Sequence, residues 1–513
     1  MRLNSFSTVR QPAAARVVAQ YALCAESCRS RLARLIMKAK LFVFALLGAL
    51  SQASHATNWL EIENNEQPGA KAAHFWGFIQ PRYTHNSGGP VEGIAAPKPA
   101  MTSYNGHLPL TNLVGPDFTH QNYAQMARAR PGVRGIVPGT DDKVNYYVLA
   151  EFGENALTEW KEAPTSYRYH PVLTDATVTY NTSVTRFRLG LGRLPLGEEA
   201  MQGEVGSAYA DLTTVSDQLL NERFMSPYYS GRPEVPMLGV PMTQMTVTGQ
   251  PGGVVCTTPN QCVGALASGP LGAFRDIGLE VYDWTDRGQW QYSYALMLSD
   301  GNGIELRDNG NYDVSGRVAA SYIFGGHGVN RQDVTFYVWN QTGKRHYLQN
   351  AYTRIRRGVG ARYNNNGLRL GGELIQARGM IYYAVVPPFY DAGGAAYEPV
   401  DEMALASSNE ARGYYLDSGW RFTPKWEADL RYDHLDKLPN SPYDERMART
   451  WTLGMQYFYS PDVRIMLNYE MRRQWVANPG AYGTARQRTQ LTDAAIIAAA
   501  TGNRVVLQST IRF

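Results

Sequence analysis

Nowhere in its 513 residues does the chain hold an apolar run long enough to cross a bilayer as a helix. The longest, Leu41–Leu50, has ten residues, against about 20 for a spanning helix. A mean hydropathy of −0.35 likewise excludes a bundle of such helices. Charge is sparse at 18%, and lysine is scarcer than arginine in the patterned regions. With 33 tyrosines and 49 glycines, this composition fits neither a coiled coil nor a disordered chain. Its length allows several soluble domains or one large barrel.

Cysteine is nearly absent, with four residues in all. Cys24 and Cys28 lie near the start; Cys256 and Cys262 sit in VVCTTPNQCVG, with no histidine or further cysteine nearby. That spacing favours a small disulfide loop over a metal site, the alternative being two free thiols. The chain has no Rossmann, P-loop, zinc or haem motif, so neither a cofactor nor a metal is expected.

The first 56 residues read as an address. Lys38 and Lys40 precede the apolar run and Ser54-His55-Ala56 follows it, the order of a secretory signal peptide. Met37 is a natural start, making residues 1–36 an over-extended beginning or a long basic region, 37–56 the signal and 57–513 the mature chain, cut after Ala56. The overall charge of +4 invites a nucleic-acid partner. Residues 1–56 hold eight Lys/Arg and one acid, so their removal leaves 41 basic and 44 acidic residues, a net charge of −3. The nucleic-acid reading thereby loses its support.

What the mature chain does have is alternation. Trp290, Tyr292, Tyr294, Leu296 and Leu298 are apolar at every second position, as are Val463, Ile465, Leu467, Tyr469 and Met471. Period two means strands with one apolar face. Sixteen such segments are expected, near 71–83, 123–137, 143–153, 173–181, 185–194, 273–284, 289–299, 312–324, 331–341, 355–364, 367–378, 410–422, 426–435, 449–459, 462–472 and 503–513. Short turns alternate with long connections at 84–122, 154–172, 195–272, 300–311, 342–354, 379–409, 436–448 and 473–502. The fold class is therefore all-β, a transmembrane antiparallel up-and-down β-barrel with short periplasmic turns and long extracellular loops.

Aromatics beside the short turns (Tyr180, Trp290, Phe324, Tyr363, Phe422, Trp426, Tyr459) suit an interfacial girdle. The chain ends in an alternating strand closed by Phe513, the form that barrel-assembly machinery reads in bacterial outer membranes. The expected site is that membrane, with its lipid as one partner.

If the apolar parity faces lipid, the opposite parity faces the lumen. Strand two would otherwise point Arg128, Arg130 and Arg134 at hydrocarbon, at about 2–4 kcal/mol each near the midplane. The same rule turns inward Arg186, Arg188, Arg317, Arg354, Arg356, Arg362, Arg369, Arg421, Arg431, Arg464, Arg472, Arg504 and Arg512. About nineteen basic residues face about twelve acids, among them Glu373, Asp417, Glu427, Asp429, Asp433 and Glu470. Two readings follow: an electropositive conduit that concentrates anions, or cross-strand pairs that stiffen the wall. Loop 195–272 either folds into the lumen, with Arg223 and Arg232 at a constriction, or caps the mouth.

The stretches ARARPGVRG (127–135), RFRLGLGRLPLG (186–197), GYYLDSGWRFTPKWEADLRYDHLD (413–436) and RTWTLGMQYFYSPDVRIMLNYEMR (449–472) resemble the phosphate-selective porins of O and P type. The resemblance implies a sixteen-stranded homotrimeric outer-membrane channel with anion preference, and carries over Arg128, Arg130 and Arg134 as pore-lining positions. That family's throat uses a ladder that includes lysines; here lysines are missing from the strands. The expected function is passive diffusion of small hydrophilic solutes with a phosphate-like anion preference, or a non-selective porin. An enzyme in a barrel would need a Ser/His or Asp/His pair at the rim, and none of the histidines sits in a GxSxG or similar setting. A secreted β-rich binding protein has no reason to keep its long connections at one end.

Overall fold

The computed structural model describes residues 58–62, 65–90, 92–93, 121–155, 171–221, 254–258, 261–264, 274–303, 310–326, 331–347, 350–379, 381–382, 389–390, 397–398, 403–404, 407–443, 445–481, 483 and 485–513. The expected leader (1–56), most of loop 195–272 beyond 221, and Arg223 and Arg232 lie outside them.

Sixteen antiparallel strands close on themselves. They are β1 (His74–Asn86), β2 (Asn122–Ile136), β3 (Val144–Glu151), β4 (Val172–Asn181), β5 (Arg186–Arg193), β6 (Arg275–Arg287), β7 (Trp290–Ser299) and β8 (Tyr312–Gly325). The second half is β9 (Gln332–Tyr347), β10 (Asn350–Asn365), β11 (Leu368–Arg378), β12 (Glu410–Thr423), β13 (Trp426–Lys437), β14 (Arg446–Ser460), β15 (Val463–Val476) and β16 (Arg504–Arg512). Each pairs with its sequence neighbours, and β16 returns to β1 through Phe78↔Arg512 and Tyr83↔Leu507. Closure leaves no open edge, which a bilayer requires because it offers no water to unpaired backbone groups.

The period of two places the side chains. On β8, Val318 is 53% exposed while its neighbour Arg317 is 8% exposed. Leu279, Leu296, Leu298, Phe336, Val338, Leu374, Leu416, Leu453 and Leu467 continue the outward apolar band. At the short-turn end, Trp290, Tyr322, Phe324 and Tyr363 form an unbroken line of edge-to-face contacts, with centroids 5.2–5.9 Å apart. This is an aromatic girdle.

Three features depart from plain alternation. Opposite Gln80 and Pro81 the ladder slips, because Arg128 pairs with Gln80 and Met126 with Pro81, leaving Ala127 as an extra residue. Proline donates no hydrogen bond, so a bulge suits it, and Gln125 and Arg128 both end up buried. The long connection expected at 342–354 does not exist. β9 and β10 run on to Tyr347 and Asn350, which pair directly, so only two residues join them. The signal was hidden because KRHYLQNAYTRIRR breaks the apolar alternation while the backbone keeps pairing. Finally, Phe513 extends the ladder beyond β16, its N–H donating to Gly77 O at 3.0 Å and its own carbonyl accepting from Gly77 N at 2.9 Å. A Cβ on Gly77 would lie 2.7 Å from the Phe513 ring, so the glycine makes room for the terminal aromatic.

Candidate functional site

The arginines from Arg128 to Arg504 named above as inward lie on the strand parity opposite the apolar band, and that face is crowded. A buried guanidinium needs a carboxylate or several carbonyls, since the uncompensated desolvation cost is several kcal/mol. The barrel supplies these from adjacent strands and from the next strand but one. Arg188 meets Glu280 at 2.6 Å, Arg354 meets Asp313 at 3.0 Å, and Arg186 meets Asp283. Arg369 bonds Asp417 at 2.5 Å and Asp429 at 2.7 Å, and Arg421 meets Glu427 at 3.3 Å. Arg356 is 1% exposed and donates to the carbonyls of Leu219, Ile355, Arg378 and Gly379.

The remaining partners come from a segment that crosses the interior, residues 194–221, holding helices α2 (Glu198–Gly206) and α3 (Thr214–Leu219). Glu198 accepts from Arg317 on β8 at 3.1 Å and from Arg362 on β10. Glu199 accepts from Arg431 on β13 at 3.1 Å. Glu204 accepts from Arg130 on β2 at 2.5 Å and from Arg193 at 3.1 Å. Asp211 holds Arg82 on β1 at 2.8 Å and Arg504 on β16 at 2.6 Å. Val205 O accepts from Arg464 on β15 at 3.1 Å. One short segment is thus tied to strands all round the barrel.

Burial alone would raise these loop carboxylates, but the guanidiniums win. Arg362 and Arg317 hold Glu198 below the usual carboxylate range. Arg130, Arg193, Arg275 and Arg128 hold Glu204 well below it, and Arg82 and Arg504 depress Asp211. All three stay ionised at neutral pH.

Local sequence explains the path. Gly203 takes φ 69, which breaks α2 and favours glycine. A Cβ on Gly197 would lie 2.4 Å from Glu373 Oε1; the Glu198 N–H instead donates to Glu373 at 3.1 Å. Thr213 caps α3 by accepting from Ser216 N–H. Beneath, Leu196, Val215 and Leu219 pack on Tyr337, Trp339, Ile375 and Tyr415 of β9, β11 and β12. Fully burying such side chains contributes roughly 1.5–3 kcal/mol each.

The segment's acids and its apolar seat are what sequence reading missed. A usable signal existed. Tyr337, Trp339, Ile375 and Tyr415 are apolar at the inward parity, which marks a stretch of inner wall that is covered rather than wet.

Two cavities flank the segment. A small one of about 40 Å³ is lined by Arg128, Arg130, Arg193, Glu199, Glu204 and Asp211. A vestibule of about 1010 Å³ opens toward the short-turn end, where Arg130, Arg134, Arg193, Arg421, Lys425, Arg464 and Arg512 face it against Glu204 and Asp462. Helix α1 (Trp59–Ile62) also lines it: Trp59 Nε1 donates to Glu198 at 2.7 Å, and Arg134 bonds Glu66 and the Asn65 carbonyl. Of the expected pore-lining arginines, Arg128, Arg130, Arg134, Arg421 and Arg464 border these cavities. Arg186, Arg188, Arg317, Arg354, Arg356, Arg362, Arg369 and Arg431 border neither, being occupied in the wall or by the crossing segment. Arg128 donates to Gln80 at 2.9 Å and Arg464 to Gln456 at 3.1 Å; neither has a carboxylate within salt-bridge distance among the described residues.

In a separate two-stranded sheet, Val254–Thr258 and Gln261–Gly264 form a hairpin in which Cys256 is the register partner of Cys262. Directly opposed residues have Cα atoms about 4.5–5.5 Å apart, inside the range a disulfide spans.

Residues 291–490 match the model of the family described as phosphate-selective porin O and P. No curated protein matches the chain. Among solved structures it is similar to the outer membrane channel DcaP of Acinetobacter baumannii (12% identity, TM-score 0.45, 88% of this chain and 99% of that one). It is also similar to an anion-selective porin from Comamonas acidovorans (12%, 0.43, 86% and 99%) and to OmpF of Salmonella typhi (13%, 0.44, 86% and 97%).

Proposed function

We propose that this chain is an outer-membrane porin that passes small hydrophilic solutes by passive diffusion and prefers anions. The observation that carries the preference is the vestibule, where six arginines and a lysine face two carboxylates. Glu151, Glu66 and Glu427 compensate Arg130, Arg134 and Arg421, which leaves Arg464 in the vestibule and Arg128 in the small cavity as the guanidiniums with most unspent charge. A fixed positive charge beside a narrow aqueous path raises local anion concentration. Arginine suits the task because its fork accommodates carboxylate or phosphate and keeps its proton. The homotrimer that the family resemblance implies, cleavage after Ala56 and handling of Phe513 by barrel-assembly machinery belong to the same reading.

The test is a planar bilayer under a KCl gradient. Stepwise conductance with a reversal potential on the chloride side is expected. Arg128→Ala combined with Arg464→Ala should move the reversal potential toward cation preference, whereas Arg356→Ala, in the wall, should leave it in place. Absence of steps would remove the channel reading; a cation-side potential in the unaltered protein would remove the anion preference alone.

The cysteine pair gives a separate check. In protein exported to an oxidising compartment, Cys256 and Cys262 should resist alkylation until reduced, and the reduced form should gain two alkyl groups per chain. Immediate labelling of both would show free thiols.

A further inference from the structure

We infer that the outward face of β14 and β15, at their long-loop end, binds the phosphate headgroup of a membrane lipid. The inference rests on the reading that the barrel spans a membrane. Arg449 on β14 and Arg473 on β15 are register partners and lie on the outward parity, with Trp451, Leu453, Leu467, Tyr469 and Met471 below them. Like charges placed directly opposite each other destabilise a sheet. Neither arginine has a carboxylate at salt-bridge distance among the described residues, and Arg449 Nε is buried with no hydrogen-bond partner. The two guanidinium carbons lie 4.7 Å and 5.5 Å from the centre of the Trp475 ring. They are therefore no more than about 10 Å apart, and a shared ring orients both.

Their height fits a headgroup. From Tyr459 in the short-turn girdle to Arg449 is ten residues of β14. At about 3.3 Å per residue and a tilt near 40°, that is ~25 Å, the height of the apolar band of an outer-membrane barrel. The aromatics Tyr414, Tyr432 and Trp451 sit directly beneath, in mutual contact, and His434 is Arg449's partner on β13. Nearby Arg412 is already held by Asp436 at 3.1 Å, with Glu445 next to that pair. Outward Arg357, on β10, is satisfied by Gln376 at 3.0 Å. Among the described residues, only the Arg449–Arg473 pair presents two guanidiniums with open donors at the upper edge of the apolar band. A phosphate monoester with acyl chains lying on the leucines below would relieve the repulsion by charge-assisted bonds to both guanidiniums.

The experiment is native mass spectrometry of the folded full-length protein in detergent, titrated with phosphatidic acid and, separately, phosphatidylcholine of the same acyl chains. One phosphatidic acid retained per protomer is expected, with phosphatidylcholine retained weakly. Arg449→Gln/Arg473→Gln should weaken phosphatidic acid retention on the order of tenfold or more, and Arg357→Gln should not. Arg473→Gln alone, at an exposed position, gives the same reading should the double variant fold poorly. Equal retention by variant and parent overturns the assignment. So does displacement by excess inorganic phosphate, which would make the site one for free anions, or dissociation of an oligomer in the double variant, which would make it a subunit contact. Conductance measured on the same samples reports on the channel independently.

Discussion

Replacing residues 198–219 with a short Gly-Ser linker should raise the single-channel conductance severalfold. A barrel of sixteen strands is wide enough to leave an aqueous channel, and here the interior is crossed by a segment bonded to β1, β2, β8, β10, β13, β15 and β16. The strand ladder closes without any contribution from it, so the barrel should still assemble and show its shift in unheated gel mobility. The excision also removes Glu198, Glu199, Glu204 and Asp211, whose partners Arg317, Arg362, Arg431, Arg130, Arg193, Arg82 and Arg504 would then face water with less compensation. The reversal potential should therefore move further toward anions as conductance rises. Unchanged conductance in a folded variant would show that the segment does not lie on the permeation path. A rise with no change in selectivity would show that its carboxylates do not set the field.

The barrel was legible because the bilayer imposes a rule that each strand must obey by itself. A residue pair such as Arg317 and Val318 can be sorted by parity without knowing any neighbour, and cost enforces the sorting at roughly 2–4 kcal/mol per misplaced arginine. The β9–β10 hairpin escaped for the same reason. Beyond the lipid there is no penalty for Lys344 on the outward face, so pairing continues without a pattern. The site was only half legible. Parity says that Arg130 points inward, but not that Glu204, 74 positions away, waits there. That contact depends on how a loop folds back, which Gly203 and the cap at Thr213 direct and which no strand periodicity records. The arginine-rich lumen therefore read as more positive than it is.

Arg130→Ala should cost about 3–5 kcal/mol of folding stability, the price of breaking a buried ion pair from one side. Arg130 is 2% exposed and Glu151 is 0% exposed, with Nε to Oε2 at 2.5 Å. Glu204 keeps Arg193 as a second partner. Glu151 keeps the Ala129 and Gly153 N–H groups, at 3.1 and 2.6 Å, but no other cation at salt-bridge distance among the described residues, so a buried carboxylate is stranded. Arg130→Met/Glu151→Gln, which removes both charges and keeps similar volume, should cost far less than Arg130→Ala alone, because replacing a buried pair is often near neutral. Acid pH supplies a control. In the parent, Glu204 is held well below its ordinary 4.5, so its stabilisation is present above the unfolded value and lost only as pH falls through the lowered one. Between pH 7 and about 5, Glu204 should give the parent no slope. Equal parent midpoints at the two pH values are therefore the expected result. Urea midpoints for folding into lipid vesicles, read at both pH values for all three proteins, decide the matter. A loss in Arg130→Ala below about 1 kcal/mol, the scale of an exposed pair, would show that water reaches Glu151 and that this part of the wall belongs to the aqueous path.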